Sequence, residues 1–457
     1  MKVSSLLILL ISMGILIACG PQDPEPPVDT QEDTQSAPST EATTQFFHAW
    51  MADVVNDLSS DEFEKPAKNW LTDTATKRIN WALGDTAISN ITGKDSLVWG
   101  PALFLTEESG APNPYTVENM MYCTQLKGTN HYSIGIAGTN EISYDDWLKE
   151  DFNVNWSPES ITGGKISKGS RLGLENLESL QDRGSSKTLL EFLGSVLAGK
   201  SDARVSVAGH SLGGALTQVY SNYLRANLDS SIQVDAWVYA GPTAGDATFA
   251  DGLVSKLGAD NYHAYNNRLD VIPHVWQEDS VKKICTIYRN KKFCDKNLLG
   301  EPIINMVTQY LVDISTATSD RYKIPGNPKT FEVDIVNSPA VCEKAAKDLE
   351  EAWDNGLEGA TDPFVGKCGI DKAGQKAHTF AMAYFLAEVG EQHTTAYTDY
   401  FFPNPAMKAA VSEYANPHIS GTQFYSNVDE ELIILTAFLA EVAGSFNSSN
   451  PPKCACE

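Results

Sequence analysis

The sequence predicts an α/β fold with a mostly parallel central sheet flanked by helices, and three observations carry that prediction. An apolar strand, a helix and a second strand follow one another at residues 204–208 (RVSVA), 212–227 and 234–240. That succession is a crossover unit, whose two strands lie parallel in one sheet. Two short apolar runs, MMYCTQL at 120–126 and YSIGIAG at 132–138, flank Lys127-Gly128-Thr129-Asn130 and read as a hairpin. Of the 457 residues 42% are hydrophobic, enough to build a large core.

From the N-terminus, Met1-Lys2 supplies a positive start and residues 4–18 (SSLLILLISMGILIA) an apolar run. The run is shorter than the ~20 residues of a bilayer-spanning helix and ends in small residues, so residues 1–18 read as an export signal. Leu16-Ile17-Ala18-Cys19-Gly20 resembles the bacterial lipobox, which implies acylation of Cys19 as the mature N-terminus. The expected location is then the cell envelope, lipid-anchored, at the outer membrane if the cell has one. Residues 19–45 lack aromatics and are rich in Pro, Asp, Glu, Gln and Thr, the composition of a flexible tether. As a coil it would reach about 25–30 Å.

Residues 46–457 are expected to form one elaborated domain. Residues 46–58 (FFHAWMADVVNDL) and 66–82 carry helical spacing, and 172–197 reads as helix interrupted near Gly184. A net charge of −25 argues against nucleic acid and offers no basic patch to anionic lipid. Beyond Cys19 there are seven cysteines, which in an exported chain favour disulfides while leaving at least one thiol unpaired. Cys285 with Cys294 is the first expected pair and Cys342 with Cys368 the second. Cys454-Ala-Cys456 has no matching ligand pair elsewhere, so no metal site is expected.

The chemistry centres on Gly209-His210-Ser211-Leu212-Gly213. A bare Gly-x-Ser-x-Gly proves little, but here Ser211 falls between a β-branched apolar strand and a helix. That setting makes the motif a nucleophile elbow. The Leu212 N–H, at the helix N-terminus, would face a developing oxyanion.

VSVAGHSLGGAL resembles the elbow of the fungal-type (class 3) lipases, which are α/β-hydrolases. Further stretches match in the family's order: YSIGIAGTNEISYDDWLKEDF (132–152) resembles its oxyanion segment, VYAGPTAGDATFAD (238–251) its Gly-x-Pro-x-x-Gly-Asn stretch with Asp246 in place of Asn, and NRLDVIPHVW (267–276) its Asp-x-(Val/Ile)-Pro segment. The resemblance implies Ser211 as nucleophile, Asp270 as the carboxylate orienting the base, and Thr139 as second oxyanion donor beside Leu212. A serine hydroxyl needs an imidazole to take its proton, and the imidazole needs a carboxylate to fix its tautomer. The family's Ser, Asp, His order excludes His48, His131, His210 and His263, and His274 reads as a loop residue because the family often has a non-catalytic His there. That leaves His378, His393 and His418 as bases. His393 in EQHTTAYTDYF resembles the family's His-x-x-x-Tyr segment and is the assigned residue, with His378 as the alternative.

The chain departs from the family between Asp270 and His393. Residues 278–370 contain four cysteines and a helical run at 302–314, and read as a disulfide-stapled insertion. Residues 140–165 follow the oxyanion segment where the family carries its lid, and Trp147, Phe152 and Trp156 there are either lid contacts or core aromatics. The expected function is a carboxylic ester hydrolase, a triacylglycerol lipase acting through a Ser-His-Asp triad with no cofactor. The alternatives are a phospholipase A1 or short-chain esterase, or an inactive surface lipoprotein that binds lipid or a partner through the same fold.

Overall fold

The computed structural model describes residues 37–56, 68–107, 115–138, 153–287, 321–333 and 388–414, with residues 292–293, 296–297, 342–343, 346–347, 350, 353–354 and 376. Among the described residues three helices come first: α1 (Thr40–Asn56), α2 (Lys68–Gly84) and α3 (Thr86–Thr92), the last capped by Asp85, whose side chain accepts from the N–H groups of Ala87 and Ile88. The chain then lays down β1 (Asp95–Glu107), β2 (Tyr115–Leu126) and β3 (His131–Ile136) as antiparallel neighbours. The expected hairpin is the β2–β3 turn, with Gln125 opposite Tyr132.

A small antiparallel pair, β4 (Trp156–Pro158) with β5 (Lys165–Ser167), leads into α4 (Lys168–Ser179) and α5 (Leu189–Leu197), the two pieces of the interrupted helix. Next come β6 (Arg204–His210), α6 (Leu212–Asn227), β7 (Gln233–Tyr239), α7 (Ala247–Leu257) and β8 (Tyr262–Asn267). Among the described residues the main sheet has seven strands in the order β1-β2-β3-β6-β7-β8-β9, where β9 is Lys329–Phe331. Every pairing from β3 to β9 is parallel. Helices α8 (Thr395–Phe401) and α9 (Pro405–Tyr414) close the described chain.

Strand alternation divides the core in two. On β7, Val234, Ala236 and Val238 pack with α4, α5, α6 and α7, while Trp237 and Tyr239 face the layer formed by α1, α2, α3 and α8. Side chains two apart share a face, so one strand feeds both layers. Beneath α1 the sheet face also carries a polar row: Thr124, Ser133, Ser206 and Asp235 stand in register across four strands. Helix α1 answers it with Gln45 donating to Ser133 Oγ at 3.1 Å, Glu41 paired with Arg204, and His48 Nε2 2.8 Å from Asp95 Oδ2. A buried polar row is tolerated only when its groups find partners.

Two expectations change, and for Trp156 the open alternative is decided. Helix α1 begins at Thr40, inside the stretch expected to be tether: Ala42 and Gln45 are buried, and the Ala42 carbonyl accepts from the Tyr239 hydroxyl at 2.6 Å. Threonines and a glutamine concealed this stretch because its partners on the sheet are themselves polar. The expected insertion at 278–370 includes structural parts of the sheet: β9 is its seventh strand, and Tyr322 stacks on Trp156 with centroids 4.3 Å apart. Three residues are too few to show a strand period. Trp156 therefore packs inside the fixed β4–β5 pair, which is tied to the body where the Ser167 N–H donates to the Ala244 carbonyl. Trp147 and Phe152 lie outside the described residues, as do Cys19, Cys294 and Cys368. Cys342 is disulfide-bonded, and Cys123 is a buried free thiol on β2. The Cys285 side chain is not among those described.

Candidate active site

Strand β6 ends at His210 and helix α6 begins at Leu212, so the turn between them is a single residue, Ser211. Its backbone has φ 57° and ψ −128°, a region that costs a non-glycine residue about 1–3 kcal/mol. Packing holds it there: the Ser211 N–H donates to the Tyr239 carbonyl at 3.0 Å. The flanking glycines permit the turn by close approach. A Cβ on Gly209 would stand 2.1 Å from the Gly213 carbonyl oxygen, and one on Gly213 would stand 2.5 Å from the Ile136 oxygen. Helix α6 thus starts against the end of β3, and its first N–H groups, those of Leu212 and Gly213, have no acceptor within the helix.

Three elements bring the partners of Ser211 together. Asp270 follows β8 and is wholly buried, with Oδ1 accepting from the Ile272 N–H at 2.9 Å. His393 sits in the helical stretch before α8, its Nδ1 2.8 Å from Asp270 Oδ2 and its Nε2 2.8 Å from Ser211 Oγ. With the carboxylate accepting from Nδ1–H, Nε2 is left as the acceptor of the serine hydroxyl. Ser211 is half-buried, whereas Asp270 and His393 are buried. The arrangement can draw a proton from the serine hydroxyl and hold the resulting imidazolium against a carboxylate that water does not reach.

A further set of contacts fixes these groups. The Tyr397 hydroxyl donates to Asp270 Oδ2 at 3.1 Å and accepts from the Asn267 N–H at 2.9 Å. Asn267 Nδ2 donates to the Gln392 carbonyl at 2.9 Å and to its Oε1 at 2.7 Å, joining the end of β8 to the residue before His393. His210 makes two contacts of its own: Nδ1 is 2.9 Å from Asp53 Oδ2 and Nε2 is 2.8 Å from the His393 carbonyl oxygen. Burial alone would lower the His210 pKa, but the hydrogen bond and charge of Asp53 outweigh it, with help from the His393 carbonyl and the Asp270 charge. The result lies above the ordinary histidine value.

Of the sequence-derived site residues, Ser211, Leu212, Asp270 and His393 come together. Thr139 lies outside the described residues; its neighbour Gly138 is beside the elbow, where an added Cβ would be 2.9 Å from the His210 carbonyl oxygen and 3.4 Å from Ser211 Cβ. His378 and His418 also lie outside them. His274, read as a loop residue, sits in a 3-10 turn with Nδ1 2.7 Å from Ser280 Oγ, and burial lowers its pKa. Sequence reasoning missed Asp53, His210 and the part played by Tyr397. The Tyr four residues after His393 was the one visible signal; nothing local links Asp53 to a serine 158 positions later.

Residues 133–280 match the family model of class 3 lipases. Among solved structures, that of M37 lipase is similar at 23% identity with a TM-score of 0.57, covering 82% of this chain and 99% of that one. A lipase from Rhizopus microsporus var. chinensis aligns at 15% identity and TM-score 0.36, over 57% of this chain and 77% of its own. A triacylglycerol lipase from Penicillium expansum aligns at 15% identity and TM-score 0.31, over 52% and 69%. No curated protein matches the chain. The fold is that of an α/β-hydrolase.

Proposed function

We propose that the protein is a serine hydrolase of lipid carboxylic esters. The single observation that carries this reading is the unbroken hydrogen-bond chain from Ser211 Oγ through His393 to the buried Asp270. In the proposed reaction Ser211 Oγ attacks the ester carbonyl while His393 Nε2 takes its proton. The oxyanion forms beside the Leu212 N–H, with Thr139 as the second donor. His393 then protonates the departing alcohol, leaving an acyl-Ser211 ester. Water, deprotonated by His393, attacks that ester; the fatty acid is released as His393 returns the proton to Ser211 Oγ. The match of residues 133–280 to class 3 lipases supports a lipid ester as substrate, with an acylglycerol the specific substrate proposed.

The test is labelling with a fluorophosphonate, followed by identification of the modified residue and hydrolysis assays on tributyrin, a phosphatidylcholine and a p-nitrophenyl butyrate. Labelling at Ser211, abolished in Ser211→Ala, and turnover of tributyrin above the other two are expected. Faster turnover of phosphatidylcholine would make it a phospholipase A1. Hydrolysis of the p-nitrophenyl ester alone would make it a short-chain esterase. A folded protein that takes no label would be the inactive lipid- or partner-binding form.

The proposal extends to the N-terminus, where the lipobox-like Leu16-Ile17-Ala18-Cys19 supports acylation of Cys19 and attachment to the cell envelope. Stable anchoring takes more than one acyl chain. Mass spectrometry of the native protein should find a mature N-terminus at Cys19 with added acyl mass. An unmodified start elsewhere would remove the anchor from the reading.

A further inference from the structure

We propose that Asp53 and His210 are positioning residues for the reaction at Ser211, acting as a second His–Asp couple that ties helix α1 to both sides of the site. The inference rests on the hydrolase reading above and goes beyond it, since neither residue touches the serine hydroxyl or the attacked carbonyl in that mechanism.

Hydrogen-bond accounting comes first. The His393 carbonyl can only accept, so His210 Nε2 must carry a hydrogen. His210 Nδ1 faces a carboxylate oxygen 2.9 Å away. The couple therefore holds one proton beyond a neutral histidine and an ionised aspartate, and the stable form is an imidazolium donating from both nitrogens. Its neighbours agree: the carboxylate of Asp53 reaches it from α1, the charge of Asp270 acts on it from the loop after β8, and the rings of His393 and Tyr397 pack against it at 4.6 Å and 5.4 Å.

Geometry gives the couple its purpose. Asp53 Oδ1 accepts from the Gly138 N–H at 2.5 Å, while Oδ2 takes His210. One carboxylate thus fastens the residue preceding Thr139, at the end of β3, and through His210 the backbone of the base. His210 and Ser211 are adjacent, so the ring also braces the strained turn from its strand side. Nucleophile, base and oxyanion segment arrive on different elements, β6–α6, the stretch before α8, and β3. The Asp53–His210 couple is in contact with all three. Misplacing reacting groups by about 1 Å can cost on the order of 100-fold in rate, so a brace at this point has kinetic consequences.

Helix α1 supplies its own control. His48, one turn and a residue before Asp53, makes a second buried His–Asp contact at 2.8 Å to Asp95, away from the serine. Loss of His48 weakens the seat of α1; loss of Asp53 or His210 should disturb the site as well.

The experiment compares Asp53→Asn, His210→Gln and His48→Gln with the unaltered protein. It measures kcat and KM on a soluble ester, the rate of fluorophosphonate labelling, Tm, and the imidazole N–H signals by 15N-edited NMR. Asp53→Asn and His210→Gln should lower kcat and the labelling rate about 10–100-fold with KM changed less than about threefold. His48→Gln should lower Tm at least as far with kcat within about twofold. The unaltered protein should show two protected N–H signals from His210, lost in His210→Gln. Unchanged kcat in Asp53→Asn and His210→Gln, or an equal loss in His48→Gln, would overturn the positioning role. Absence of Ser211 labelling in the unaltered protein would instead overturn the hydrolase reading, and this inference with it.

Discussion

Tyr397 donates its hydroxyl hydrogen to Asp270 Oδ2, the same oxygen that faces His393 Nδ1, at 3.1 Å. Asp270 is fully buried, and its two oxygens are met by Tyr397 and His393 on one side and by the Ile272 N–H on the other. The helical four-residue step puts His393 and Tyr397 on one face, so a single short segment delivers both partners of the carboxylate. Tyr397→Phe removes the donor to Asp270 and leaves the buried Asn267 N–H without its acceptor. Stability should fall by about 1–3 kcal/mol and kcat about 5–30-fold. Thermal unfolding and steady-state kinetics check the two halves separately.

Asp270→Asn should cost far more. The amide can present its NH2 to His393 Nδ1 and so turn the Nε2 hydrogen toward Ser211, the wrong tautomer for a base. A loss of about 10⁴-fold in kcat is expected, with the chain still folded because the Ile272 N–H keeps an oxygen acceptor. Retained circular dichroism with near-complete loss of ester turnover is the diagnostic pair. Turnover near that of the unaltered protein would show that Asp270 does not orient the base.

Where the chain is cut at its N-terminus should matter sharply. A protein starting at residue 38 keeps Glu41 on Arg204, the Ala42 carbonyl on Tyr239 and Gln45 on Ser133; one starting at Phe46 loses all three. The Tyr239 hydroxyl and Ser133 are buried, and leaving each without its partner costs about 1–3 kcal/mol. The shorter protein should unfold at a clearly lower urea midpoint, while the longer one stays soluble and active. Equal midpoints would mean that α1 folds onto the sheet without its first two turns.

A fall in stability on acidification should follow from His131. It is partly buried, its Nε2 2.9 Å from Ser206 Oγ; burial first, then the Arg204 charge, lowers its pKa to about 4 against the pull of Asp235 and Asp95. Unfolded, it titrates near the ordinary ~6.5. Between those values the unfolded chain binds the extra proton, so stability drops as pH falls from about 6.5 to 4. His131→Gln should flatten that stretch by on the order of 1–3 kcal/mol in urea titrations at pH 4.5 and 7. His210 has the opposite sign: its raised pKa contributes stability below about 6.5 that is lost as pH rises through the folded value. An unaltered slope in His131→Gln would assign the acid limb to other groups.

What lay in the sequence by itself was local. The strand-helix-strand period around 204–240, the hairpin at 120–138 and the interrupted helix at 172–197 are each written by residues within a few positions of one another, and the structure has all three. The glycines around Ser211 were legible for the same reason, since the crowding they relieve comes from a turn of five residues and the strand end beside it. Tertiary structure decided what spans the chain. Asp53 meets His210, and Gln45 meets Ser133, across a sheet whose strand order no periodicity encodes. The start of α1 was hidden because polar residues that bury themselves against a polar row look like tether in composition. Strand β9 was hidden because three residues have no period to read, and only the open edge of β8, with its unpaired backbone groups, made a strand of them.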